Sequence, residues 1–156
     1  MIDIYKEFLT IVKELEDKNI QYALCGGFAV SLHWFVRATE DIDFIVMIET
    51  LGEIRNILIK MNYLIEASPM TLSDGKIKIY RLTKIDKESG DYLPIDLLVL
   101  NSELQYIWGK IEKFELENCF VKVLSKEALI ELKLLRNSYQ DKQDIEKLNG
   151  YSNEQS

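Results

Sequence analysis

The chain has 156 residues, 47% hydrophobic and 29% charged, with 19 Lys and Arg against 26 Asp and Glu for a formal net charge of −7. That size and balance describe one globular domain that buries a core without disulfides or a structural metal, and they exclude a disordered chain. The acidic excess argues against general binding of DNA or RNA backbone, because the sequence-independent part of such binding comes from Lys and Arg.

The segment Met1 to Lys13 has no basic stretch followed by an apolar core, so no secretory signal is expected. No run approaches the ~18 apolar residues of a membrane span. Cys25 and Cys119 lie far apart with no C-x-x-C pair, and read as free thiols of a cytoplasmic protein. With His33 as its one histidine, the chain offers no multi-histidine metal site, so any metal must be held by oxygen.

In chain order, Ile4, Phe8, Ile11, Val12 and Leu15 recur at helical spacing and predict a helix over 4–18, stopped at Asn19. A short apolar run over 20–24 reads as a buried strand ending in Cys25-Gly26-Gly27, a tight turn. A helix follows over 28–36. The run DIDFIVMI, 41–48, reads as a second strand, then a helix over 51–61 and a short extended piece over 62–65. Residues 68–75 are expected to be loop. The alternation of Lys76, Ile77, Lys78 and Ile79 predicts a strand over 76–82 with one wet face, whose lysines would discourage edge pairing if the strand is an edge. The stretch PIDLLVL, 94–100, is a third buried strand containing one acid. Residues 102–110 read as helical, and 114–124 as one or two strands bent near Glu117-Asn118. Ser125 is a fair N-cap for a helix over 126–137 whose Leu129, Leu132 and Leu135 form a stripe. A last short helix spans 141–148, and 150–156 is a frayed polar tail. This order predicts an α/β (α+β) fold, a mixed twisted sheet flanked by helices. The expected organisation is a core over 1–124, C-terminal helices packed on it over 125–149, and the tail.

The chemistry concentrates in CGGFAVSLHWFVRATEDIDFIV, from Cys25 to Val46. Glycines between a strand and a helix let backbone approach a ligand, and the free N–H groups of a helix start favour phosphate. Asp41 and Asp43 are two residues apart on a strand, so both carboxylates share a face. Such a pair heading an apolar strand repels itself unless a cation sits between, and oxygen ligands suit Mg²⁺ or Mn²⁺. Asp96 interrupts an otherwise apolar strand, where an acid is costly; if that strand lies beside 41–48, it joins the pair. Three carboxylates around metal ions, beside a glycine turn able to hold a triphosphate, form a site for in-line phosphoryl or nucleotidyl transfer.

Gly26-Gly27, the apolar helix, Arg37-x-Thr39 and Asp41-Ile42-Asp43 resemble the core of the nucleotidyltransferase (DNA polymerase β-like) superfamily. The similarity is to its small prokaryotic branch of AbiEii-type toxins, minimal nucleotidyltransferases and aminoglycoside or lincosamide nucleotidyltransferases. The resemblance implies that Gly26 and Gly27 lie under the nucleotide phosphates and that Asp41 and Asp43 hold metal. It also implies that Asp96 completes the metal site and activates the acceptor hydroxyl. The implied activity is metal-dependent transfer of a nucleoside monophosphate from an NTP to an acceptor hydroxyl, with release of pyrophosphate. The acceptor stays open between a small molecule, an RNA end and a protein, and so does a toxin, antitoxin or antibiotic-resistance role. The alternative is a binding module of the same fold that pairs with a toxin–antitoxin partner and has weak or no catalysis. Arg37 is read as a phosphate clamp or as a partner of Glu40 or Asp41, and Thr39 as a turn former. The tail around Leu132-Lys133, Arg136 and Asp144-Ile145 also resembles the branch, with Gln140-Asp141 where relatives often carry Lys-Asp. Lys133 and Arg136 are expected on a solvated helix face. His33 is expected near the site mouth or packed against Trp34 rather than in a Ser-His-Asp triad with Ser31. Tyr22, Tyr63, Tyr80 and Phe114 are expected in the core or its rim.

Overall fold

The computed structural model describes residues 1–33, 40–136, 145, 146, 148 and 149. Helix α1 (Ile4–Asp17) starts at Asp3, whose side chain accepts from the Lys6 N–H at 3.1 Å, and buries the stripe Phe8, Ile11, Val12 and Leu15. Asn19 stops it in the left-handed region with φ 54°. The chain then enters β1 (Tyr22–Cys25), which passes with no intervening residue into α2 (Gly26–His33). β2 (Ile42–Val46) and α3 (Leu51–Lys60) follow. The strands β3 (Ile65–Glu66), β4 (Met70–Leu72), β5 (Ile77–Ile85) and β6 (Tyr92–Leu100) come next. A 3₁₀ helix (Ser102–Gly109) leads to the hairpin β7 (Ile111–Leu116) and β8 (Cys119–Leu124), and α4 (Lys126–Arg136) follows.

The eight strands form one mixed sheet in the order β3-β5-β6-β2-β1-β8-β7, with β4 also on β5. β2 runs parallel to β6 and β1 parallel to β8; the other pairings are antiparallel. The condition on Asp96 is therefore met, because β2 and β6 are neighbours. The aromatic rings of Phe8, Phe28 and Phe44 join α1, α2 and β2, with centroids 4.6 Å apart for Phe8–Phe28 and 6.3 Å for Phe8–Phe44. Tyr22 and Tyr63 are fully buried core residues and Tyr80 is half-buried, as the sequence suggested. Among the described residues no helix is long and apolar enough to cross a membrane.

Two expectations change, at β4 and at Lys133. β5 lies inside the sheet, covered by β3 and β4 on one side and β6 on the other. The covering strands have two and three residues, too short for alternation to reveal, and β4 falls in the stretch read as loop. The segment after β6 is helical as expected, in the 3₁₀ form. Between β7 and β8, Glu117 and Asn118 both have positive φ, 46° and 64°, a tight two-residue hairpin turn at the place the sequence indicated, which selects two strands over one. Lys133 is buried, not on a solvated face. It stands three to four residues from Leu129 along with Leu132, so helix geometry turns it inward with them. Ser125 does cap α4, its Oγ accepting from the Ala128 N–H at 3.2 Å. The predicted last helix and tail lie mostly outside the described residues; 145–146 and 148–149 are helical, and Leu148 is buried.

Candidate active site

The site is built on a row that crosses four strands. The register pairs Cys25 with Asp43, Asp43 with Asp96, and Asp96 with Arg81, so these side chains stand on one face of β1, β2, β6 and β5. Asp41, half-buried, precedes β2 by one residue and adds its carboxylate to the row. One oxygen each from Asp41, Asp43 and Asp96 lies within 4.8 Å of the others. Asp43 and Asp96 are each only 5% exposed, so water does little to screen their mutual repulsion.

Gly26 fixes one wall. Its φ of +70° lets the chain turn at once from β1 into α2, a conformation that side-chain-bearing residues adopt at a cost. A Cβ there would sit 1.9 Å from Asp43 Oδ2 and 2.7 Å from its Cγ. The missing side chain is thus the space that the Asp43 carboxylate occupies, at the N-terminus of α2 where the helix dipole favours negative charge. Gly27 is buried in the first turn of α2, and its carbonyl accepts from Ser31 Oγ at 3.1 Å.

Arg81 closes the other side. Its Nε donates to Asp96 Oδ1 at 2.7 Å and its Nη2 to Asp96 Oδ2 at 2.8 Å, a two-pronged grip on one carboxylate. Its pKa is raised, first by those hydrogen bonds and then by the charges of Asp96, Asp41 and Asp43, against an opposing effect of burial. The formal charge of the three acids and Arg81 together is −2. Oxygen-only donors grouped at this distance fit a hard divalent cation such as Mg²⁺ or Mn²⁺.

The sequence-predicted Asp41, Asp43 and Asp96 come together, with Gly26 against them. Arg37, Thr39, Trp34 and the Gln140-Asp141 pair lie outside the described residues. His33 is tied elsewhere: its Nε2 lies 2.8 Å from the Leu124 carbonyl oxygen, and its ring meets the Phe114 ring edge-on at 5.0 Å. Ser31 donates to the Gly27 carbonyl, which leaves the triad without support. One charged residue of the site, Arg81, was missed, and Lys133 was named but placed on the wrong face. Arg81 has no local signal in the sequence, whereas Lys133 was marked by its spacing from Leu129.

The profile of one protein family, described as "Nucleotidyl transferase AbiEii toxin, Type IV TA system", matches residues 8–145. No curated protein matches the sequence. Among solved structures, the chain resembles the Thermotoga maritima protein TM1012, assigned as a nucleotidyltransferase, at 17% identity and a TM-score of 0.62. That match covers 99% of this chain and 96% of that one. It resembles ANT(2")-Ia in complex with adenylyl-2"-tobramycin at 16% identity and a TM-score of 0.63, over 94% of this chain and 87% of that one. An antigenic nucleotidyltransferase-like protein from Paracoccidioides brasiliensis matches at 19% identity and a TM-score of 0.53, over 89% and 72% of the two chains. At these identities the structural likenesses establish the shared fold, a mixed sheet flanked by helices.

Proposed function

The chain belongs to the AbiEii nucleotidyl transferase family, and from that premise we propose that it transfers a nucleoside monophosphate from an NTP to an acceptor hydroxyl, releasing pyrophosphate. The observation that carries this reading is the convergence of Asp41, Asp43 and Asp96 within 4.8 Å, beside the start of α2. Asp41, Asp43 and Asp96 would hold Mg²⁺ or Mn²⁺. Such a cation, when bound, supplies positive charge that stabilises the phosphate oxygens during in-line displacement. The backbone N–H groups at Gly26 and Gly27, at the helix start, would bind the phosphates, and Arg37 is the candidate from the sequence for a phosphate clamp. An Asp96 oxygen takes the proton of the acceptor hydroxyl as its oxygen bonds to the α-phosphorus, and the bond from that phosphorus to the departing pyrophosphate breaks.

The adenylyl-2"-tobramycin in one structural neighbour supports a small-molecule acceptor as one form of the reaction on this fold. An RNA end and a protein side chain are the other two acceptor classes, and the net charge of −7 favours neither. Cys25 and Cys119, both buried and neither in a disulfide, support a reducing, cytoplasmic setting. The test is incubation of the purified protein with Mg²⁺ or Mn²⁺, labelled NTPs and cell extract, read by mass spectrometry. The wild type should add the mass of one nucleotide to an acceptor, and Asp43→Asn should lose at least about 100-fold in rate. Equal transfer by the two proteins overturns the proposal. The family description also names a toxin–antitoxin system, and growth on expression reads that link. Arrest relieved by Asp41→Asn places toxicity in the acid group; arrest that persists favours the binding role.

A further inference from the structure

Among the ion pairs described, Arg81 is the one cation in direct contact with a member of the acid group, Asp96, and nothing in the reaction above uses it. Its guanidinium engages both oxygens of Asp96 at once, at 2.7 and 2.8 Å. A chelating cation needs the same place, in the carboxylate plane between the two oxygens. With the fork seated there, Asp96 can give a cation only one oxygen, from the side away from Arg81.

We infer that Arg81 is a positioning residue that sets which cation the acid group accepts, by holding Asp96 to single-oxygen ligation. Mg²⁺ and Mn²⁺ favour compact six-fold shells with one oxygen from each carboxylate, whereas Ca²⁺ takes more ligands and often uses both oxygens of one carboxylate. The fork therefore disfavours Ca²⁺ without excluding the smaller ions. Charge alone cannot produce this preference. Removing one positive charge strengthens binding of every divalent cation by a similar factor, so the effect cancels in the ratio of two affinities. The ratio reports the shape of the ligand set. Arg81 is suited to the role because its side chain is anchored in β5, directly across from β6, with its donors in a fixed plane.

This inference rests on the reading of Asp41, Asp43 and Asp96 as a cation site. Calorimetric titration of the full chain with MnCl₂ and separately with CaCl₂, without nucleotide, tests both levels. Mn²⁺ binding lost in Asp43→Asn upholds the site; binding unchanged in that variant overturns the site and the inference with it. Where the site holds, the ratio of Ca²⁺ to Mn²⁺ dissociation constants should fall about fivefold or more in both Arg81→Gln and Arg81→Lys, since neither retains the fork. A smaller fall in both variants overturns the inference while leaving the cation site intact. A wild-type ratio in Arg81→Lys, which lacks the fork, overturns the inference whatever Arg81→Gln shows. Thermal unfolding confirms that each variant is folded, and Arg81→Lys, which preserves the charge, carries the test if Arg81→Gln does not fold.

Discussion

Replacing Gly26 with Ala tests whether the turn from β1 into α2 exists to make room for Asp43. The new Cβ would lie 1.9 Å from Asp43 Oδ2, 2.7 Å from Cγ and 2.9 Å from Cβ, so β2 or α2 must move. The φ of +70° costs an L-residue about 1–2 kcal/mol, and overpacking a buried contact adds about 1–3 kcal/mol. Together these give roughly 2–5 kcal/mol against a total stability of about 5–15 kcal/mol. Urea denaturation reads this directly: with a slope of about 2 kcal/mol/M, the midpoint should fall roughly 1–2.5 M. Gly52→Ala is the control, because nothing lies within 4 Å of a Cβ there and it sits in α3. That substitution should raise stability by up to about 1 kcal/mol. Asp43→Ala removes the two closest of the three contacts, so the Gly26→Ala/Asp43→Ala double variant should be less destabilised than the sum of the singles, by roughly 1–2 kcal/mol. Displacement of Asp43 should also abolish the stabilisation expected from MnCl₂ in the wild type if the acids bind it, about 2.7 kcal/mol at 100 times the dissociation constant. A Gly26→Ala protein with the wild-type urea midpoint and the wild-type response to Mn²⁺ would refute the reasoning.

Tyr63→Phe removes the hydrogen bond from the buried Tyr63 hydroxyl to Glu7 Oε2 at 3.1 Å, while Lys84 still pairs with Glu7. The expected loss in chemical denaturation is about 0.5–1.5 kcal/mol, with transfer activity unchanged because the contact is remote from the acid group. Glu131 has its pKa lowered first by the hydrogen bond from Lys110 and then by that from Tyr106. A lowered folded-state pKa gives stability that is present above the unfolded value, about 4.3, and is lost as pH falls through the folded one. Melting temperatures followed from pH 7 to pH 3 should therefore fall less steeply in Glu131→Gln than in the wild type, and parallel curves would remove Glu131 from the acid limb.

What could be read from the sequence is what strand geometry decides locally. The spacing of Asp41 and Asp43 places them on one face whatever the fold around them, and the acid within Ile95-Asp96-Leu97-Leu98 announces a partner because burial demands one. Which partner is a matter of register. Asp96 faces Asp43 on one side and Arg81 on the other, and no local pattern fixes the pairing of β5 with β6. The lysine alternation of β5 left open whether the strand is an edge; it lies inside the sheet, and its outer cover comes from β3 and β4, whose length hides them. Lys133 shows the opposite failure, since helical spacing from Leu129 turned it inward while its charge argued for solvent. At Gly26, local reasoning found the right residue for an incomplete reason. Backbone freedom and room for a phosphate both predict glycine at the start of α2. The distance to Asp43 Oδ2 adds a third demand, that the same absence of Cβ seats one of the acids, so turn, helix start and acid group are set by a single position.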